Sequence, residues 1–310
     1  MQSSSGSTST TTITRHIPVL LQEVLDVLEI HENDVVLDGT LGGGGHARAF
    51  ADRLGEDGHL IGFDVDSGAL ARAREKLADT KPQRTFVHDN FRNVSAKLAE
   101  YKIDGIDKAL FDLGWSSDQL EVSGRGFSFE RDEPLQMTLS DDVDEDTLTA
   151  SEIVNYWEEE NIADILYGWG GERFSRRIAR GIVAARKEGA IETTEQLVEI
   201  VRRAMPAQYR YGKRNPATKT FQALRIAVND ELGALKSVLE ALPNITHANA
   251  RVAFLTFHSL EDKLVKETFR GWAKEGLGEL ASKKPIPPTR EEVGQNRRAR
   301  SAKLRAFIFN

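Results

Sequence analysis

Cysteine is absent from all 310 residues. This excludes disulfides, thiolate metal sites and a cysteine nucleophile, and it suits a reducing compartment. No run approaches the eighteen or so apolar residues of a membrane span. The opening "MQSSSGSTSTTTITR" has no apolar core, so it is not a secretory signal. It is rich in Ser and Thr and free of acids, as a transit peptide would be, but Arg15 is its single base; a disordered tail over 1–15 is the expectation. Overall basic charge is missing too. The net charge is −7, and the surface as a whole does not advertise nucleic-acid binding.

The distribution of charge says more than its sum. From Ser128 to Asp164 thirteen acids face one base, Arg131, whereas Gly170 to Arg225 carries thirteen bases against five acids. Between Lys283 and Arg305 eight bases face two acids. The chain is acidic on average and basic in two places.

Short apolar, β-branched runs at "VVLDG" (35–39), "HLIGFDVD" (59–66), "RTFVHDN" (84–90) and "IDKALFDLG" (106–114) predict strands. They alternate with segments such as "ALARAREKLA" (69–78), which places Leu70, Ala73 and Leu77 on one helical face. That alternation implies βαβ units and a parallel sheet. It stops near residue 120, and a helical stretch follows to about 217. There Phe174, Ile178 and Ile182 form a stripe beside Arg173, Arg176, Arg177 and Arg180, and Thr193/Gln196 open a helix as a capping box. "TFQALRIAVNDELGALKSVLEAL" predicts one long helix. "RVAFLTF" (251–257) is a strand, and the helix after it is expected to start from Ser259 as N-cap with Asp262 as its partner. "KLRAFIF" reads as an edge strand. A helical insert therefore interrupts an α/β domain.

Four glycines, Gly42 to Gly45, follow the first strand. Such a run loses much chain entropy on ordering, and a glycine-rich turn between a strand and a helix is a nucleotide-cofactor loop. Two cofactor classes fit. Gly42, Gly44 and Ala47 match the dinucleotide fingerprint, with Asp64 about twenty residues on for a ribose. S-adenosylmethionine sites use the same logic, and Asp38 and His46 beside the loop suit a zwitterionic methionine end. "HDNF" (88–91) supplies a polar group and an aromatic wall for adenine. Asp112 ends the fourth strand and so aims into the same crevice. Asp112-Leu113-Gly114-Trp115 loosely resembles the Asp/Asn/Ser-Pro-Pro-aromatic box of DNA aminomethyltransferases. An exocyclic base amine is a poor nucleophile, and an acceptor for its N–H groups helps it attack a methyl group. Methylation at cytosine C5 needs a cysteine adduct, which this chain cannot form.

Taken together, "HIPVLLQEVLDVL", "LDGTLGGGGHARAF", "FDLGWSSDQL", "RGFSFERDEPLQM", "GGERFSRRIARGIV", "NPATKTFQALRIAVNDEL", "FHSLEDKLVK" and "RARSAKLR" resemble the RsmH/MraW family, in order, from His16 to about Arg305. The resemblance implies an α/β class I (Rossmann-like) S-adenosylmethionine-dependent methyltransferase over 16–120 and 218–310, with an inserted helical substrate-recognition domain at 121–217. It implies methylation of N4 of a cytidine in the decoding region of 16S rRNA within the small ribosomal subunit, a cytoplasmic location, and no metal requirement. Cofactor contacts would fall on Gly44, Gly45, His46, Asp64, Phe91, Asp112 and Gln119, with Asp112 as the catalytic acceptor. The chain departs from the family at Trp115 (usually Val or Ile), Asp118 (Pro), Gln136, Thr138 and Ser140 (acid, base, acid) and Asn215 (His). These departures keep open another nucleic-acid target. A nicotinamide dehydrogenase and a non-catalytic rRNA-binding assembly factor are the other readings. The Arg173–Arg180 cluster, "YRYGKRNPATK" (209–219) with Tyr209 and Tyr211, and "NRRARSAKLR" are expected to contact RNA phosphates and bases. Asp141–Asp146 reads as a surface loop, and His258 as a structural histidine at the crevice.

Overall fold

A computed structural model of the chain describes residues 18–114, 123–210, 212 and 215–310. The tail at 1–15 and Trp115, Asp118, Gln119 and Tyr211 lie outside the described residues. Five parallel strands form in the predicted order: β1 (Val35–Asp38), β2 (His59–Asp64), β3 (Gln83–His88), β4 (Ile106–Asp112) and β5 (Thr246–Thr256). Two more, β6 (Gly278–Leu280) and β7 (Lys303–Phe309), complete a seven-stranded sheet ordered β3-β2-β1-β4-β5-β7-β6. β7 runs antiparallel to both neighbours. It is therefore an inner strand rather than the expected edge. Its Leu304, Ala306 and Phe307 are buried, and the three-residue β6, too short to show a period, takes the edge.

The strands are apolar on both faces because helices cover both. On one side α1 (Leu21–Leu28), α2 (Gly45–Ala51) and α3 (Ser67–Lys76) bury Leu28, Phe50 and Leu70 against Val36, Leu60 and Leu110. On the other, α4 (Val94–Glu100) and two later helices pack Leu98, Leu239 and Phe269 against Leu37, Ile61 and Phe111. Among the described residues no helix is long and apolar enough to cross a membrane.

The insert has its own core. It holds α5 (Ala150–Tyr156), α6 (Glu159–Gly168), α7 (Ser175–Ala185) and α8 (Thr194–Ala204), with Ile153, Leu166, Ile178, Ile182 and Leu197 buried together. The Thr193/Gln196 capping box forms as expected. The predicted long helix is two, α9 (Thr218–Asn229) and α10 (Glu231–Ile245), broken where Asp230 takes a left-handed φ of 45°. Asp tolerates that region better than most residues. Phe221 and Leu224 of α9 belong to the insert's core, so the chain returns to the sheet domain at Asp230 rather than at 218. The helix after β5, α11 (Ser259–Lys274), also starts differently. His258 is its N-cap and Glu261 its reciprocal partner. Asp262, expected in that role, is drawn instead to Lys303 (2.9 Å) and Arg305 (2.8 Å) on β7. Two bases of the C-terminal cluster thus serve the fold.

Arg125 fastens the insert to the sheet. Its Nη2 donates to Asp66 Oδ2 at 2.7 Å, and its Nη1 donates to the carbonyls of Leu139 (2.9 Å) and Ser140 (2.8 Å). Asp66 meanwhile caps α3 through Ala69 N. From the other side Asn229 Oδ1 accepts from Leu139 N and Nδ2 donates to the Met137 carbonyl. Asp141, in the expected surface loop, accepts from Ser67 N at 3.1 Å. Residues 137–141 therefore form a strap held against the carboxyl ends of the strands. The Arg125 and Asp66 side chains are 11% and 13% exposed, and stranding one charge of such a pair costs about 3–5 kcal/mol. Arg125→Met should lower the urea midpoint accordingly. Asp66→Asn, which keeps the helix cap, should cost less, and the double variant should lose less than the sum. Additive losses would show that the two groups do not act as a pair.

Candidate active site

A cleft opens at the carboxyl ends of β1, β2, β3 and β4, where parallel sheets place their ligands. It encloses 1320 Å³ of space, counting the part open to solvent. Two strand-ending carboxylates, Asp64 and Asp112, line it, and a third, Asp38, is buried within reach of their charges. Asp38, 1% exposed, ends β1 and accepts from Thr40 N at 3.2 Å. Asp64 ends β2 and accepts from Gly42 N (2.7 Å) and Asp66 N (2.9 Å). Asp112 ends β4, and its backbone N–H donates to Thr40 Oγ1 at 2.6 Å. The Thr40 hydroxyl thus ties the first-strand loop to the fourth strand.

Crowding of these acids sets their chemistry. Burial raises the Asp112 carboxyl to about 8, helped by the charges of Asp38 and Glu261. Asp38 is pushed to about 7, mainly by burial, with the Thr40 amide pulling down and Asp64 pushing up. Asp64 is raised to about 6 by burial, against the pull of the Asp66 and Gly42 amides. A cleft lined by two such carboxylates, with a third buried beside them, favours a cation.

The glycine loop divides its work. At Gly43 a Cβ would meet nothing within 4 Å, and this residue borders the cleft. Gly44 has φ +71°, a left-handed turn into α2, and a Cβ there would press within 3.2–3.3 Å of Ala73 on α3. Of the expected contacts, Gly45, His46, Asp64, Phe91 and Asp112 line the cleft, whereas Gly44 is not among the lining residues and Gln119 lies outside the described residues. His46 is buried, with Nε2 3.7 Å from Asp112 Oδ2. Phe91 packs edge-on to Phe111 at 5.6 Å, and Phe111 stacks on Phe254.

Sequence reasoning missed part of the lining. Leu139 of the strap, Asn229 at the end of α9, Glu231, Glu261 and Arg298 complete the far wall. Arg298 is the contribution of the basic C-terminal cluster. Among the described residues Glu231, His258 and Glu261 bring ligand atoms within 4.8 Å of one another, the geometry of a metal site. Those groups are already engaged. Arg225, itself buried, holds both oxygens of Glu231 at 2.6 and 2.8 Å, and Glu261 Oε2 accepts from Phe257 N and His258 N. A guanidinium in that position opposes a second cation. His258 is the structural histidine the sequence suggested, and it takes the capping role expected of Ser259.

The residues fit S-adenosylmethionine. Among the lining residues Gly43 would give bare backbone, Asp64 an acceptor for ribose hydroxyls, Phe91 an apolar wall, and Asp112 a counter-charge for a sulfonium. The sequence profile of the MraW methylase family matches residues 13–309. Curated relatives include a protein named ribosomal RNA small subunit methyltransferase H from Clostridium botulinum, 44% identical over 306 residues, covering 94% of this chain and 97% of the relative. Another of the same name, from Brevibacillus brevis, is 41% identical over 311 residues, covering 96% and 98%. A crystal structure described as a putative rRNA-methylase from Clostridium thermocellum aligns with a TM-score of 0.41 at 14% identity, covering 95% of this chain and all of that one, a likeness too slight to build on. With the profile spanning nearly the whole length and relatives above 40% identical, the chain belongs to the MraW methylase family.

Proposed function

We propose that the protein transfers a methyl group from S-adenosylmethionine to N4 of a cytidine in 16S rRNA, presented on the small ribosomal subunit. The observation that carries the reading is Asp112, raised to about 8 where the cofactor cleft meets the wall formed by the insert's strap. The names of the relatives support an rRNA target. Gly43, Gly45, His46, Asp64 and Phe91 would hold the cofactor, which supplies a methyl group on a positively charged sulfur. Asp112 would accept an N–H of the cytosine amine, so that the nitrogen lone pair turns out of the ring toward that methyl. Methylated in this way, with the S–C bond broken as the N–C bond forms, the amine would be acidic, and Asp112 would take its proton. A carboxyl near its ordinary 3.8 would hold that proton poorly, and one near 8 holds it well. No step calls for a metal.

Three of the departures from the family pattern fall on one segment. Gln136, Thr138 and Ser140 lie on or beside the strap, and the Thr138 hydroxyl is buried without a hydrogen-bond partner. Asn215 caps the turn into α9, accepting from Ala217 N at 2.9 Å. The strap borders the cleft at Leu139, so a changed nucleic-acid target is the second reading.

Labelled cofactor and small-subunit particles lacking the mark should give N4-methylcytidine on nucleoside analysis, with none from Asp64→Ala. A labelled product at another position would overturn the substrate assignment. Dialysis against EDTA should leave the rate unchanged; loss of activity restored by a divalent ion would contradict the metal-free account. Asp112→Asn should lower kcat at least about 100-fold and abolish an acid limb on which the parent's rate climbs with pH, at or below about 8 because the bound sulfonium favours the carboxylate. The same substitution should stabilise the unliganded protein. Because the folded carboxyl binds its proton more tightly than the unfolded one, the parent loses stability as pH rises from 3.8 to about 8. The difference in Tm between Asn variant and parent should therefore widen across that window and level off above it. A gap independent of pH would mean that Asp112 is not the raised group.

A further inference from the structure

The chain has five tyrosines, and four of them, Tyr156, Tyr167, Tyr209 and Tyr211, fall in the insert. The three that are described are all exposed: Tyr156 at 79%, Tyr167 at 68% and Tyr209 at 37%. Aromatic rings left out of a well-packed core have a surface use to explain. One of them, Tyr209, stands beside a cation, and Tyr167 belongs to the turn that Lys219 of α9 holds. Tyr167 lies in the last turn of α6, and its carbonyl accepts from Gly171 N at 3.0 Å. Lys219, in the first turn of α9, donates from Nζ to the Gly171 carbonyl at 2.6 Å. Arg173, two residues on, lies with its guanidinium 4.3 Å from the ring centre of Tyr209 and 4.7 Å from that of Phe174. Glu172 is turned inward, 3% exposed, with its carboxylate accepting from Phe174 N. Asp164, a turn back on α6, is the exposed acid nearest in the chain. The loop thus faces outward with rings and cations.

We infer that Tyr167, Arg173, Tyr209 and Lys219 form a stacking platform for single-stranded RNA flanking the target nucleotide. Aromatic rings interleaved with cations bind such strands through base stacking and phosphate contact, with little dependence on sequence. α9 fixes the distance to the cleft. Asn229 lines the cleft at one end and Lys219 stands at the other, ten residues away, which is about 15 Å along a helix. That is the length of about four stacked nucleotides at about 3.4 Å each, and fewer in an extended strand. A strand with one base in the cleft reaches the platform within four nucleotides. α9 is tied to its neighbours by Gln222, which donates to the Trp169 carbonyl (3.1 Å), and by the Arg225–Glu231 pair.

The inference rests on the proposed RNA methylation and deepens it, and the test separates the two. KM and kcat for methyl transfer to unmethylated small-subunit particles are measured for the parent, Tyr167→Ala, Arg173→Gln and, as a control on the sheet domain, Tyr101→Ala, which is 46% exposed. Tyr167→Ala and Arg173→Gln should each raise KM at least about fivefold, with kcat within about twofold, as loss of one base stack predicts. Arg173→Gln should also flatten the dependence of log KM on log salt by about 0.7. Tyr101→Ala should match the parent. If Tyr167→Ala and Arg173→Gln keep the parent's KM while the parent methylates the particles, the platform is wrong and the methylation reading stands. If the parent transfers no methyl group to RNA, both fall.

Discussion

Burial of carboxylates at the ends of neighbouring parallel strands is the constraint on which the rest of this molecule depends. A parallel sheet brings the last residues of β1, β2 and β4 to one edge, and in this chain each is an aspartate. Placing three acids there opposes folding, since each must either keep its proton or lose it and carry a charge in crowded surroundings. The backbone amides of Thr40, Gly42 and Asp66 offset part of that cost. A cation in the cleft would relieve the remainder, so that part of the free energy lost in folding would return as affinity for a positively charged cofactor.

The insert is joined to this arrangement by a chain of contacts that begins at Asp64. Asp64 accepts from Asp66 N, Asp66 pairs with Arg125, and Arg125 holds the carbonyls of the strap, whose Leu139 borders the cleft. Asn229 grips the same strap from α9. The element that would present RNA and the element that would hold the cofactor are thus fixed to one another by buried polar groups rather than by a broad apolar interface. Such bonds are directional, and they set a position more sharply than apolar contact does.

The sheet was legible because its central strands are short apolar runs ending in glycine or aspartate, and the glycine loop because four Cβ-less residues in a row have few other uses. Asp112 could be placed in the crevice from strand order alone. The opposite wall was not legible. Asn229 sits at a helical spacing that continues smoothly into the next segment, and the break at Asp230 depends on a left-handed residue that leaves no mark on apolar periodicity. Arg125 meets Asp66 across 59 residues, a closure no local pattern encodes. The cap at the end of β5 went to His258 and Glu261 because Asp262 was taken by two cations of β7, a competition settled by tertiary contact. Part of the basic C-terminal cluster was likewise absorbed, with Lys303 and Arg305 in internal pairs and Arg298 at the cleft.

The most direct measurement is a crystal structure with S-adenosylhomocysteine and a cytidine-bearing oligonucleotide bound together. The account predicts the ribose against Asp64, the sulfur near Asp112, and the cytosine N4 within hydrogen-bond distance of the Asp112 carboxylate. A cofactor seated outside the cleft of Asp64 and Asp112, or an N4 remote from Asp112, would contradict it.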